Sequence, residues 1–210
     1  DWYLKGDGWQ PELHVEIQSN QGEWRIEDRY PAADTTEVVM TLGTDLERIS
    51  GGSNVLPDAS TGPVYESAPL ESDMYIQGLP RLHVEVSTST VGGQLYALLE
   101  DCDGSNCIHI GHAIMDLRYH EGGDELSSNW TPVIGTITAM MEFIAMDAEV
   151  YAGHTIRLTL LSTGEDYLPA STSSIVTIQE GEGSTLQLDT YNPSDKLTWI
   201  PPVCTHEDLC

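Results

Sequence analysis

Hydrophobic and polar residues alternate along much of this chain. Segments 13–17 (LHVEI), 82–86 (LHVEV) and 156–160 (IRLTL) each carry an apolar residue at every second position. This period of two is typical of a β-strand with one buried face. Further strands are predicted at 24–29, 38–42, 94–100, 109–119, 134–143, 175–179, 185–189 and 197–199. No segment shows helical periodicity over three turns, so the pattern predicts about ten short strands.

Turn residues separate the predicted strands, as at Gly51-Gly52 and Gly92-Gly93. Short strands at intervals of roughly 8–20 residues with turns between them predict an all-β fold, an antiparallel β-sandwich of jelly-roll type. Residues 43–62 are rich in Gly, Ser, Asp and Pro and predict a long irregular loop.

The charge of the chain is strongly acidic, with 34 Asp and Glu against 8 Lys and Arg and a formal net charge of −26. A hydrophobic content of 40% over 210 residues nevertheless predicts a folded domain. Sparse basic residues argue against nucleic acid or an anionic membrane as a partner. Dense carboxylates with only two lysines, Lys5 and Lys196, predict adaptation to a saline environment, because salt screens their repulsion. An ordinary acidic secreted protein is the alternative.

Four cysteines form two closely spaced pairs, Cys102 with Cys107 and Cys204 with Cys210. Of the three possible connectivities, the simplest closes each pair as a local disulfide. Disulfides persist in oxidising compartments, so the pairs predict an extracellular or cell-surface location.

Zinc binding is the alternative role of these cysteines, since His109, His112 and His206 lie nearby and could also serve as ligands. Neither cysteine pair has the C-x-x-C spacing common in zinc sites, however. His109 and His112 are the densest histidine pair, but residues three apart on a regular strand face opposite sides. We therefore expect partly exposed strand histidines that do not share one ion.

A calcium site is one interpretation of the segment around the first cysteine pair. Asp101, Asp103 and Asn106 offer the oxygen ligands that Ca²⁺ prefers, together with backbone carbonyls. The alternative is a hairpin turn at Asp103-Gly104, held by a disulfide.

Catalytic motifs are absent from this sequence. It contains no G-x-S-x-G turn, no H-E-x-x-H and no phosphate-binding G-x-x-x-x-G-K-[ST] motif, so the chain alone is predicted not to be an enzyme. Five tryptophans and nine tyrosines are enough for a sugar-stacking surface. A calcium-dependent carbohydrate-binding module is therefore the alternative function.

Segment 65–80 (YESAPLESDMYIQGLP) resembles a recurring pattern, Y-x-S-x-P-L-x-x-D-x-x-(I/V)-x-G-x-P, of one hydrolase family. This family comprises the X-prolyl dipeptidyl aminopeptidases, the bacterial cocaine esterases and the α-amino-acid ester hydrolases. Segments 93–101, 111–119 and 152–160 fit the same C-terminal domain in the same order, and 152–160 (AGHTIRLTL) is similar to its A-G-H-x-(I/L)-R-L strand. Segment 1–6 (DWYLKG) is similar to the end of the preceding catalytic domain's last helix, and 22–25 (GEWR) and Tyr30-Pro31 to the elements that follow it.

The resemblance implies a galactose-binding-like jelly roll that packs on an α/β-hydrolase catalytic domain. Residues 1–10 are then a remnant of that catalytic domain, and 11–210 form one sandwich that includes loop 43–62 and a tail closed by a disulfide. The catalytic Ser, Asp and His of such hydrolases lie upstream, so no catalytic residue is assigned to this chain. The implied function is a non-catalytic accessory domain of a secreted serine hydrolase, serving stability, assembly or substrate access. Separated from its partner, it is expected to expose an apolar patch near Trp2, Trp9 and loop 43–62.

Overall fold

The computed structural model describes residues 15–57, 61–122, 130–164, 167–168 and 174–192, and the backbone of 197–198. The predictions for residues 1–10, including Trp2 and Trp9, and for Cys204, His206 and Cys210 lie outside these described residues.

Within the described part, the chain forms sixteen strands and one short 3₁₀ helix at Leu117–Tyr119. The strands are β1 (Val15–Gln18), β2 (Trp24–Glu27), β3 (Thr36–Thr41), β4 (Leu46–Ser50), β5 (Asn54–Val55), β6 (Val64–Ser67), β7 (Met74–Gly78), β8 (Arg81–Thr88), β9 (Gln94–Asp103), β10 (Asn106–Asp116), β11 (Thr136–Glu142), β12 (Met146–Val150), β13 (Thr155–Leu161), β14 (Val176–Gln179), β15 (Thr185–Tyr191) and β16 (Leu197–Thr198). None of the described helical segments is long and apolar enough to cross a membrane.

One layer is a five-stranded antiparallel sheet in the order β10-β9-β13-β6-β4. Alternate side chains of its strands point into the core, because successive residues of a strand face opposite sides. On β13, Ile156, Leu158 and Leu160 are completely buried, whereas Arg157 and Thr159 are half-buried on the outer face.

The opposing layer runs in the order β12-β7-β15-β8-β14-β5, with β11 also paired to β8 and β3 to β15. Strands β14 and β15 pair in succession with the same strand, β8, and both are antiparallel to it. Leu82, Val84 and Val86 of β8 are completely buried in the core between the layers, which also holds Phe143, the only phenylalanine. The predicted all-β antiparallel sandwich is therefore confirmed.

A small third sheet, β1-β2-β16, carries the first described strands of the chain. Its hairpin contacts strand β12 through Asn20. The Asn20 side chain accepts a hydrogen bond from the Glu149 backbone N–H at 2.8 Å and donates one to the Glu149 carbonyl at 3.2 Å. This side of the larger sheet is thus covered by the N-terminal hairpin.

The expectation of an irregular loop over 43–62 is wrong for 46–50 and 54–55. Strands β4 and β5 form there, and each is anchored by one completely buried residue, Leu46 and Val55 respectively. On β4 the other four residues are exposed, so no alternation marks the strand in the sequence. Ile49 and Leu56 are exposed, as the expected apolar patch near this segment requires.

Candidate functional site

A groove of about 680 Å³ lies beside the connection that leads from β6 to β7. Apolar side chains of Met40, Ile49 and Leu70 line it. The same groove is lined by the carboxylates of Asp45, Glu47, Glu66 and Glu71. The surface therefore combines exposed hydrophobic area with concentrated negative charge.

A second cavity of about 300 Å³ adjoins this groove, since Leu70 and Glu71 line both. It extends past Tyr75 to Tyr191 on β15. We call the combined surface the 68–75 face, defined as residues 68–75 together with Ile49 and Tyr191.

The 68–75 face is held in place by the turn that precedes β13. The Leu70 N–H donates to the His154 carbonyl at 2.8 Å, and the Gly153 N–H donates to the Leu70 carbonyl at 2.9 Å. The carboxylate of Asp73 accepts from the Ala152 N–H at 2.8 Å. Two segments singled out in the sequence, 65–80 and 152–160, thus meet at this surface.

Next to Tyr191, a buried ion pair joins the N-terminal hairpin to the sandwich. The Arg25 guanidinium donates to both carboxylate oxygens of Asp147, and only 7% and 3% of these side chains are exposed. Gln77 donates a further hydrogen bond to Asp147 at 2.9 Å, and Arg25 lies over the Tyr191 ring at 5.1 Å from its centre. The cluster therefore ties β2, β7, β12 and β15 together.

The charges of this cluster shift two pKa values. Burial lowers the pKa of Arg25, but hydrogen bonding to Asp147 and the charge of that carboxylate outweigh burial and raise it above its ordinary value. Burial and the negative charge of Asp147 raise the pKa of Tyr191. Sequence reasoning missed the cluster, and its one signal was the place of Arg25 in the G-E-W-R segment.

The hairpin between β9 and β10 carries the first predicted disulfide. Cys102 and Cys107 are opposite each other in the ladder and are bonded to each other. This half of the cysteine prediction is confirmed, whereas Cys204 and Cys210 lie outside the described residues.

The three proposed calcium ligands differ in their surroundings. Asp101 is only 1% exposed, and its Oδ1 lies 2.7 Å from His154 Nδ1. Asp103 and Asn106 are exposed at the tip of the hairpin. As the side chains stand in the described part, no group of three or more His, Cys, Asp or Glu residues is arranged to hold a metal ion. The calcium site stays a prediction.

His109 and His112 lie on the same face of β10, so the expectation that they point to opposite sides is wrong. The ladder between β10 and β9 shifts register between His109 and Gly111. This bulge inserts one extra residue and restores a common face to positions three apart. His109 Nε2 and His112 Nδ1 are 3.2 Å apart.

Among the described tryptophans, Trp24 is half-buried and Trp130 is 46% exposed. The Arg118 guanidinium lies 5.8 Å from the centre of the Trp130 ring. Trp2, Trp9 and Trp199 lie outside the described residues, and a sugar-binding surface stays a prediction.

Comparison with known proteins gives a family and several structural neighbours. A family model for the X-Pro dipeptidyl-peptidase C-terminal non-catalytic domain matches residues 7–194. A search of curated proteins found no match.

Three solved structures show the same fold. A CocE/NonD family hydrolase from Staphylococcus aureus matches 91% of this chain, with 14% identity and a TM-score of 0.69. An aminopeptidase from a marine sediment archaeon matches 90%, with 13% identity and a TM-score of 0.67. An α-amino acid ester hydrolase matches 85%, with 14% identity and a TM-score of 0.53. This chain spans 44%, 42% and 36% of those chains respectively, which is less than half of each.

Proposed function

Because this chain belongs to the family of X-Pro dipeptidyl-peptidase C-terminal non-catalytic domains, we propose that it serves as the accessory β-sandwich of a serine hydrolase of the peptidase or esterase type. The observation that carries this proposal is the family match over residues 7–194. The similar CocE/NonD hydrolase has more than half of its chain outside the matched region. A catalytic domain of comparable size is thus the expected partner.

The 68–75 face is the surface that we assign to this partner. Ile49 is 53% exposed there, and burying such a side chain against a second domain stabilises their association. The face continues to Tyr191, which contacts the Arg25–Asp147 pair. A domain that precedes this one therefore adjoins the 68–75 face near the N-terminal hairpin.

The negative charge of the face predicts basic side chains on the partner domain. Glu66 is neutralised by Arg157, whose Nε lies 2.8 Å from its carboxylate. Asp45, Glu47 and Glu71 lie in the same groove. Lys or Arg side chains on the catalytic domain would pair with these carboxylates around an apolar contact. In this arrangement the accessory domain stabilises the hydrolase by covering an apolar contact with paired charges.

Hydrogen exchange on the whole hydrolase tests this assignment. Amides of residues 68–75 are expected to exchange more slowly in the whole protein than in the separate 210-residue chain, because the partner covers them. Residues 136–142 of β11, which lie outside the 68–75 face, serve as the internal control. Equal exchange of 68–75 in both proteins contradicts the docking assignment.

A pair of matched variants sharpens the test. Ile49→Arg places a charge within the docking face, whereas Met140→Arg changes a residue of similar exposure, 60%, on the opposite layer. Ile49→Arg is expected to loosen the catalytic domain, seen as faster proteolysis between the domains, and Met140→Arg to leave proteolysis unchanged.

We also propose an extracellular or cell-surface location in a saline environment. The Cys102–Cys107 disulfide supports an oxidising compartment. Eight basic residues cannot neutralise thirty-four acidic ones, and such an excess is best tolerated where salt screens it. The same charge supports the proposal that nucleic acid and anionic membranes are not partners.

A further inference from the structure

The outer face of the five-stranded sheet brings together several side chains that the docking role does not use. We propose that His109 and His112 form a site for a divalent transition-metal ion of the Zn²⁺ type, with Glu100 as the third protein ligand. The site lies on β9 and β10, beyond the disulfide hairpin, and the proposal is independent of the hydrolase assignment.

The bulge in β10 is the feature that creates the pair. It places both imidazoles on the outer face, with ring centres 5.2 Å apart. The facing nitrogens, Nε2 of His109 and Nδ1 of His112, are separated by 3.2 Å. Two nitrogens that bind one tetrahedral Zn²⁺ at 2.0–2.1 Å lie about 3.3 Å apart. The spacing therefore suits a shared ion after a small rotation of the exposed His109 ring.

Tyr167 orients the inner ligand. Its hydroxyl lies 2.9 Å from His112 Nε2. When Nε2–H donates to this hydroxyl, Nδ1 is left unprotonated and able to bind a metal. Metal-bound histidines commonly donate their second ring N–H to a neighbouring acceptor. Gly164 permits this arrangement, because a Cβ there would lie 2.4 Å from Tyr96, on which Tyr167 packs.

Glu100 supplies the third ligand from the neighbouring strand. It is directly opposite His109 in the ladder, so both side chains leave the same face of the sheet. Glu100 is half-buried, and its carboxylate must rotate toward His109 to bind the ion. Among the described residues, no three His, Cys, Asp or Glu side chains already converge on one point. Water completes the tetrahedron.

One basic side chain lies beside the proposed ligands. Arg157 is opposite Glu100 on β13, and its guanidinium is held by Glu66, with an Nη2–carboxylate distance of 2.6 Å, and by Cys107 Sγ, 2.9 Å from Nη1. The net charge of −26 concentrates divalent cations near the surface. On binding, the proton at His109 Nε2 moves to the solvent-facing Nδ1 through water, so the imidazole stays neutral.

Calorimetric titration of the 210-residue chain with Zn²⁺ tests the site. We expect one saturable site, with the largest losses of affinity in His109→Ala and in His112→Ala, because each removes a nitrogen ligand. Glu100→Gln and Tyr167→Phe should weaken binding less. The matched control is His83→Ala, a half-buried histidine on β8 in the opposite sheet, which should leave the affinity unchanged.

Two further measurements keep the outcome clear. Circular dichroism without metal must show that each variant is folded. His109 is exposed, so its replacement by Ala is expected to leave the fold intact. Excess Ca²⁺ should not displace Zn²⁺, because calcium prefers oxygen ligands. Absence of saturable binding, or equal affinity in wild-type protein and the double variant His109→Ala/His112→Ala, would overturn the proposal.

Discussion

Arg25 and Asp147, 122 positions apart in the chain, form a buried ion pair that fastens the N-terminal hairpin to strand β12. Both carboxylate oxygens of Asp147 accept hydrogen bonds from Nη2 of the guanidinium, and Gln77 donates a further hydrogen bond. This pair lies beside Tyr191 at one end of the 68–75 face. It therefore fixes the N-terminal hairpin against the sandwich at this end of the face.

Removing one partner of this pair should strongly destabilise the domain. Arg25→Ala leaves the Asp147 carboxylate buried without its cation, which costs about 3–5 kcal/mol in the free energy of unfolding. Urea denaturation measures this loss. The control is Arg81→Ala, which breaks an ion pair with Glu37 that is 44% and 48% exposed, and it should cost less than about 1 kcal/mol. Equal losses in the two variants would show that the buried pair has no special role.

Tyrosine ionisation should destabilise the domain at alkaline pH. Hydrogen bonding to the Glu149 side chain, burial and nearby carboxylates raise the pKa of Tyr75 from 10.0 to about 12. Because the pKa of Tyr75 is higher in the folded protein than in the unfolded chain, the neutral Tyr75 side chain stabilises the fold. This contribution to the free energy of unfolding is complete below pH 10.0 and is lost as the pH rises toward about 12.

Ultraviolet absorbance of tyrosinate, recorded during an alkaline titration, tests this expectation. The folded protein should ionise Tyr75 only near pH 12, whereas the urea-unfolded chain should ionise its tyrosines near pH 10. Tyr75→Phe should remove one of the late-titrating groups, and an unchanged titration curve in that variant contradicts the assignment.

Salt should raise the melting temperature of this domain. The carboxylates repel one another over a distance that shrinks to about 3 Å in 1 M salt. Calorimetry between low and molar sodium chloride measures the effect, with sucrose as an uncharged control. The triple variant Asp45→Asn/Glu47→Gln/Glu71→Gln should respond less than the wild type. A flat melting temperature over this range would contradict adaptation to salt.

The calcium prediction is testable by chelation. If Asp101, Asp103 and Asn106 bind Ca²⁺ with backbone carbonyls, a calcium chelator should lower the melting temperature. Asp103→Asn alters an exposed ligand and leaves the buried Asp101–His154 contact in place, so it should abolish the chelator effect. A melting temperature unaffected by chelator removes the calcium interpretation.

Alternation in the sequence predicted strands β8 and β13, because each has one buried and one half-exposed face. It missed β12, although Met146, Ala148 and Val150 alternate there with Asp147 and Glu149. In the fold the N-terminal hairpin contacts both acidic residues, so four of the five residues are buried. Alternation also missed β4, whose one buried residue is Leu46.

Tertiary contacts and backbone irregularity account for two further differences. The bulge that unites His109 with His112 adds a single residue, and its signal in the sequence is Gly111, which interrupts the alternation within the strand. The Arg25–Asp147 pair depends on a contact between distant parts of the chain, which no local periodicity can reveal. The family resemblance, which the match over residues 7–194 confirms, rested on segments that include 65–80 and 152–160, and these two meet at one surface.

The 68–75 face is the surface through which we propose that this domain associates with the catalytic domain of a hydrolase. The direct measurement is light scattering after size-exclusion chromatography of the separately produced catalytic domain mixed with this chain. We expect a one-to-one complex with wild-type protein and with Met140→Arg, and dissociated components with Ile49→Arg. Independent elution of the two wild-type components would contradict the claim.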